Sequence, residues 1–182
     1  MKKVQNNLYK TSIEIGAPKF KQLLWYFANI LFFKNPLNVF SFLKVGLLKY
    51  FGAKIGKGVV IKPSVSIKYP WKLKIDDYSW IGEGVWMDNL SMVVIGKSVT
   101  ISQGALILTG SHDHTKITFD FISSPVVIED GCWIGAKAVV YGGVICKTHS
   151  ILGINSVAES NLEEYVIYKG NPAIPVIKRT IF

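Results

Sequence analysis

Arginine, cysteine, histidine and, over one long stretch, acid are all scarce in this chain. Arg179 is the single arginine among 21 basic residues of 182. Without a recognised nucleic-acid motif, this argues against a nucleic-acid partner despite the basic balance. The two cysteines, Cys132 and Cys146, fall on positions otherwise held by small or aliphatic residues. They read as apolar fillers, not as a bridge, a metal pair or a nucleophile, and suit a reducing compartment. No uncharged apolar run reaches the roughly 18 residues needed to cross a bilayer: the longest, Leu23 to Phe33, is interrupted by Asn29 and ends at Lys34. No secretory signal pattern opens the chain, so a cytoplasmic location is expected. Acids are nearly missing from residues 1 to 57, where ten lysines face one acid, Glu14. That segment carries the whole net charge of +9, and the eleven basic and eleven acidic residues after it cancel.

What is abundant is a period of six. Twelve of fifteen positions at this spacing are Ile, Leu or Val: 55, 61 and 67; 75 and 81; 95, 101 and 107; 128, 134, 140 and 152, with Met87, Cys146 and Ala158 as the exceptions. Four residues after each step the side chain is again small or β-branched, broken only at Trp71 and Leu162. Such a period predicts short strands and tight turns closing a triangular coil of roughly eighteen residues, with coils stacked along one axis. Glycine follows the aliphatic at 56, 82, 96, 135 and 153, where a corner needs positive φ or leaves no room for a Cβ. The register slips by two residues at 67 to 75 and again at 87 to 95. Between Ile107 and Ile128, 21 residues stand where 18 would be expected. An array of this kind gains function where its repeat is interrupted.

Three units are expected: a basic, aromatic-rich arm and helical cap (1–52), the repeat domain (53–160) and a C-terminal extension (161–182). Within the first, residues 1 to 19 are expected to show little order. Phe20 to Lys34 and Pro36 to Phe51 read as two short helices that are apolar almost all round. Repeat folds require caps, so a packed cap is the favoured reading. The lysine and aromatic mixture of residues 1–57 also suits peripheral contact with the inner membrane surface or another anionic partner.

The stretch Gly110-Ser111-His112-Asp113-His114, the run Pro125 to Ala136 containing Glu129-Asp130-Gly131-Cys132-Trp133-Ile134-Gly135, then Ile151 to Ser156 and Tyr168-Lys169-Gly170-Asn171-Pro172-Ala173 resemble the hexapeptide-repeat sugar O-acetyltransferases. The likeness is greatest to those of colanic acid and exopolysaccharide biosynthesis. This resemblance implies an all-β, left-handed parallel β-helix; periodicity alone chooses no hand, and the general crossover rule would favour the other. It implies acetyl-CoA as co-substrate, no metal, and a homotrimer in which the coenzyme lies between two subunits. The acceptor it implies is a sugar or a lipid-linked saccharide.

It also places the catalytic base on His112. Transfer from a thioester to a hydroxyl needs a group that removes the hydroxyl proton, and an imidazole of pKa about 6.5 can take it and return it to the thiolate. Three histidines exist, His112, His114 and His149, and the plain alternative for each is a polar turn residue. The resemblance carries Trp133, Gly135, Ala136, Gly153 and Ile154 to the coenzyme arm. Glu159-Ser160 replaces a Thr-Lys pair of many relatives, so Lys178 and Arg179 are offered in its place for the coenzyme phosphates. Asn89, with Asp88 beside it, resembles an acceptor-contacting asparagine, and Asp113 and His114 flank the base. Asp113 reads equally as an imidazole or acceptor partner and as a solvated turn. Trp80 and Trp86 suit subunit contacts or a sugar ring. Other function classes remain open at this stage: an antibiotic O-acetyltransferase, a carbonic-anhydrase-like metal enzyme using His114 and His149 but missing its third imidazole, and a non-catalytic scaffold.

Overall fold

The computed structural model describes residues 3–11 and 13–182. Strands of mostly two or three residues form at the six-residue steps, and each pairs in parallel with the strand one coil later. The aliphatics therefore stand in three columns, one per face of a prism. Ile55, Ile75, Ile95, Ile128 and Cys146 line the first face. Ile61, Ile81, Ile101, Ile134 and Leu152 line the second. Ile67, Met87, Ile107, Val140 and Ala158 line the third. All but Ile55 are buried. Each rung removes apolar area from water only because rungs lie above and below it, at about 25 cal/mol per Å².

The columns run further than the six-residue period does. Leu162, an exception in the sequence pattern, bridges to Cys146 and continues the first column, while Tyr168 pairs with Leu152 and continues the second. A four-residue step from Ala158 to Leu162 hides this from a period count. The final hairpin, Val166–Lys169 with Ile174–Lys178, widens the second face.

The two regular corners, from first to second face and from second to third, keep the step of six in every coil. All departures fall on the third corner, where the chain passes from third face to first. The segment between Ile107 and Ile128 is the largest departure, and it does not form the extra coil implied by 21 residues against 18. Ile128 pairs with Ile95, and Val140 with Ile107. The segment therefore leaves the prism between adjacent rungs as an antiparallel hairpin, Gly110–His112 against Phe121–Ser123. A period of six cannot distinguish a coil from an excursion of similar length.

The glycines resolve the other way from their φ-based reading. None of Gly56, Gly82, Gly96, Gly135 and Gly153 is left-handed; positive φ falls two residues later, at Gly58, Gly84, Ser98 and Lys137 among others. Close approach is what requires them: a Cβ at Gly82 would come within 2.8 Å of the Ile101 carbonyl oxygen.

At the open end of the first coil, Val60 and Lys62 donate to the next coil, which leaves the Ile61 N–H and C=O facing outward. A helical cap meets them. Helix α1 (Lys19–Ala28) continues through a π-turn, Asn29–Phe33, and helix α2 is Ser41–Tyr50. The second helix thus starts five residues later than Pro36, because Asn35 and Asn38 side chains hold a turn by accepting from the Leu37 and Phe40 N–H groups. Ile61 N–H donates to Ser41 Oγ (2.8 Å), and the Trp25 indole N–H donates to the Ile67 carbonyl (2.9 Å). The Lys44 ammonium, fully buried, donates to the carbonyls of Asn38, Ile61 and Lys62. Burial lowers its pKa. These groups close an edge that would otherwise template pairing with another chain.

The described residues of the arm make defined contacts with the repeat domain. The arm runs along the third corner, with Gln5 N–H on the Ile117 carbonyl (2.9 Å) and the Trp71 indole on the Ile15 carbonyl (2.7 Å). Lys72 donates to the Glu14 and Leu90 carbonyls. Among the described residues no helix is long and apolar enough to cross a membrane.

Candidate active site

The hairpin on the third corner displays His112. Its ring lies flat on Phe119 (centroids 4.5 Å, planes 5° apart), meets Phe121 edge-on at 5.5 Å, and has Tyr9 of the arm at 5.9 Å. Nδ1 is 3.0 Å from the Phe119 carbonyl oxygen. A carbonyl only accepts, so the proton of this bond belongs to Nδ1, and in the neutral ring the lone pair is then on Nε2. The tautomer needed for a base is therefore set by one backbone contact, and the aromatic neighbours fix the ring plane. His112 itself is half-buried.

A groove of about 540 Å³ lies along the second face and its corner to the third, between Trp133, Gly135, Gly153, Ile154, Lys169 and Ile177. Its floor is backbone, because a Cβ at Gly135 would sit 2.7 Å from Gly153 C and Ile154 N. Its wall is the half-exposed Trp133, whose indole N–H donates to Ser102 Oγ (2.8 Å). A narrow, apolar, backbone-floored channel suits a thin amphipathic chain such as a pantetheine arm.

No family model matches the chain. It is 38% identical over 164 residues, 90% of each chain, to the Escherichia coli K12 protein named colanic acid biosynthesis acetyltransferase WcaF. The chain belongs to the hexapeptide-repeat acetyltransferase family. Among solved structures it is similar to the hexapeptide-repeat acetyltransferase VCA0836 of Vibrio cholerae, with TM-score 0.78 and 23% identity over 91% of this chain and 96% of that one. The acetyl-CoA complex of that protein matches at TM-score 0.74, 22% identity and 80% and 81% coverage. A maltose O-acetyltransferase of Clostridium difficile 630 matches at TM-score 0.75, with 18% identity over 89% and 88% of the two chains. The fold is accordingly the left-handed parallel β-helix, and the protein is an enzyme of the acyltransferase class with acetyl-CoA as co-substrate.

For this acetyltransferase the structure brings Trp133, Gly135, Gly153 and Ile154 together in one groove and treats the remaining residues differently. Ala136 does not line the groove; its carbonyl accepts the Asn155 N–H (2.9 Å). Lys178 ends the exposed last strand, opposite Val166. Arg179 Nη1 donates to the carbonyls of Gly131 (2.9 Å) and His149 (3.0 Å), so the guanidinium fastens a corner. Lys169 is the cation on the groove. It stands inside the Tyr168 to Ala173 motif, a signal that the sequence reading quoted without assigning it a role.

The acceptor assignments also shift. Asn89 is fully buried. Its oxygen accepts from the Lys68 and Tyr69 N–H groups, and its nitrogen donates to the Tyr69 and Lys72 carbonyls. Every polar position of the amide facing this turn is engaged in holding the first register slip, which leaves nothing for a sugar. Asp88 remains half-buried one rung below the hairpin, opposite Leu108 and paired with Lys68 at 2.9 Å. Asp113 builds a turn: Oδ1 accepts from Thr115 Oγ1 (2.6 Å) and N–H (3.1 Å), and these bonds, with Lys116 adding, hold its carboxyl below its usual range. His114 is exposed beside it. His149, on a regular corner, stacks on Tyr165 at 4.8 Å, with Nδ1 2.9 Å from Thr148 Oγ1. Trp80 and Trp86 stand outward on the second and third faces.

Proposed function

We propose that this enzyme transfers acetyl from acetyl-CoA directly to a sugar hydroxyl in surface-polysaccharide assembly, with His112 as general base. The observation that carries this reading is the Nδ1 bond to Phe119 O, which supports a proton-accepting Nε2. In the step envisaged, Nε2 takes the hydroxyl proton as the sugar oxygen attacks the thioester carbonyl carbon. The tetrahedral oxyanion collapses, the C–S bond breaks, and the imidazolium returns its proton to the leaving thiolate. No covalent enzyme intermediate is needed. The relative named for colanic acid biosynthesis supports a saccharide acceptor, free or lipid-linked, over an antibiotic.

We further propose a homotrimer with sites between subunits. The hairpin emerges at the corner joining third and first faces, and in a three-sided prism that corner lies opposite the second face, where the groove runs. One chain therefore does not bring its own His112 to its own groove, and a neighbour's groove completes the site. Subunit mixing tests this. His112→Ala and Ile154→Glu, each nearly inactive alone, should regain activity when unfolded together and reassembled. A mixture as inactive as its components would place base and groove in one chain. Thiol release with saccharide, lipid-linked and antibiotic acceptors tests the substrate class, and release with antibiotics alone would replace the sugar assignment.

A further inference from the structure

The cap carries a second surface that acyl transfer does not use. Helix α1 buries Trp25 and Ala28, and α2 buries Lys44 and Leu48. Outside, Phe20, Leu23, Leu24, Phe27 and Leu31 form a stripe at helical spacing, and Leu37, Phe40 and Phe42 are exposed between the helices and at the start of α2. Phe20 is 71% exposed, Leu37 84% and Phe42 70%. In α2 a lysine is inside and phenylalanine is outside, the reverse of a solvated helix. The charge around this patch has one sign. From Ile15 to Ile75 there are eleven lysines and no acid, and Lys19, Lys34, Lys49, Lys54 and Lys57 are exposed.

We infer that this face of the cap docks on a bilayer surface containing anionic phospholipid, with the helices lying in the interface. Neither helix can cross the membrane, and exposed phenylalanine and leucine flanked by lysine is the composition of an interfacial helix. A second copy fits less well. Two such faces would bring lysines against lysines with no acid within the segment to pair them. The arm leads from the His112 hairpin directly into α1, so docking would hold the transfer site near the membrane, where a lipid-linked acceptor resides. The docking itself does not depend on which acceptor is used.

Flotation of the full chain with vesicles tests it. Vesicles of phosphatidylglycerol and phosphatidylcholine should carry the protein upward, and pure phosphatidylcholine should carry far less. Binding should weaken steeply between low salt and about 0.5 M salt as screening shortens. Phe20→Glu with Phe42→Glu should reduce partitioning about tenfold or more. Lys19→Gln with Lys34→Gln and Lys49→Gln should reduce it by about 100-fold at low salt. Both variants should keep wild-type melting and wild-type turnover of acetyl-CoA with a soluble acceptor, since none of the five residues is buried. Absence of flotation at low salt, flotation unchanged in both variants, or a drop in solution mass of the Phe variant in place of a loss of vesicle binding would overturn the proposal. The last result would mean that a second copy covers the face.

Discussion

The regular corners and the third corner are made by the same prism and do opposite things. At the regular corners the step of six never varies, and even a histidine, His149, is absorbed by stacking on Tyr165. At the third corner steps of four, eight and twenty-one residues occur, and the longest raises His112 onto a hairpin whose polar groups serve the loop. Register explains the difference. Each column must place the next aliphatic over the last, so a corner can vary only if the chain returns to the same rung. Once one corner absorbs all variation, the other two can remain rigid, and the longest excursion is where the polar hairpin stands.

The two histidines give the sharpest way to break this comparison. His112→Ala should lower kcat by about 10²–10⁴ with acetyl-CoA affinity nearly unchanged, whereas His149→Ala should change kcat by less than about threefold. Steady-state kinetics on both variants decides it, and equal losses would erase the distinction between corners. Next in size is backbone approach. Gly82→Val at a regular corner should destabilise by about 1–3 kcal/mol, because its Cβ meets the Ile101 carbonyl of the next rung. A melt that does not shift would mean the coils separate more easily than their ladders suggest. Gly46, on α2 in the cap, has nothing within 4 Å of an added Cβ, and Gly46→Ala should stabilise by about 0.5–1 kcal/mol in the same measurement.

The smallest effect concerns acid and the hairpin tip. Asp113 is held below the usual carboxylate range, chiefly by Thr115. A carboxylate whose folded pKa is depressed contributes while it is ionised, so its turn should persist as pH falls through the ordinary carboxylate range and open only below it. The amide resonance of Thr115 should report that opening, and a midpoint at the ordinary aspartate value would show that the turn does not hold the carboxylate.

Particular residues show what could be read in advance and why the rest could not. Ile61, Ile81, Ile101 and Ile134 are legible as buried because each stands on the six-residue step, while the column they share emerges only from the strand pairing. Asn89 was misassigned because a sequence shows an amide without showing that four backbone groups already surround it. Arg179 is illegible for the same reason, its charge being visible in the sequence and the two carbonyl partners of its Nη1 not. Leu162 looked like an exception since the step before it is four, although it completes a column.

The sequence by itself determined the prism, though not its hand: a six-residue aliphatic period buries every step when coils stack, and the first third, with one acid and no such period, forms something other than coil. Only the tertiary structure decided that one corner would take every irregularity, that Lys44 rather than phenylalanine would close the open rung, and that the 21-residue step would leave the prism as a hairpin carrying His112. Those outcomes depend on which carbonyls and surfaces are left unpaired once the coils have stacked, and no local pattern of residues records that.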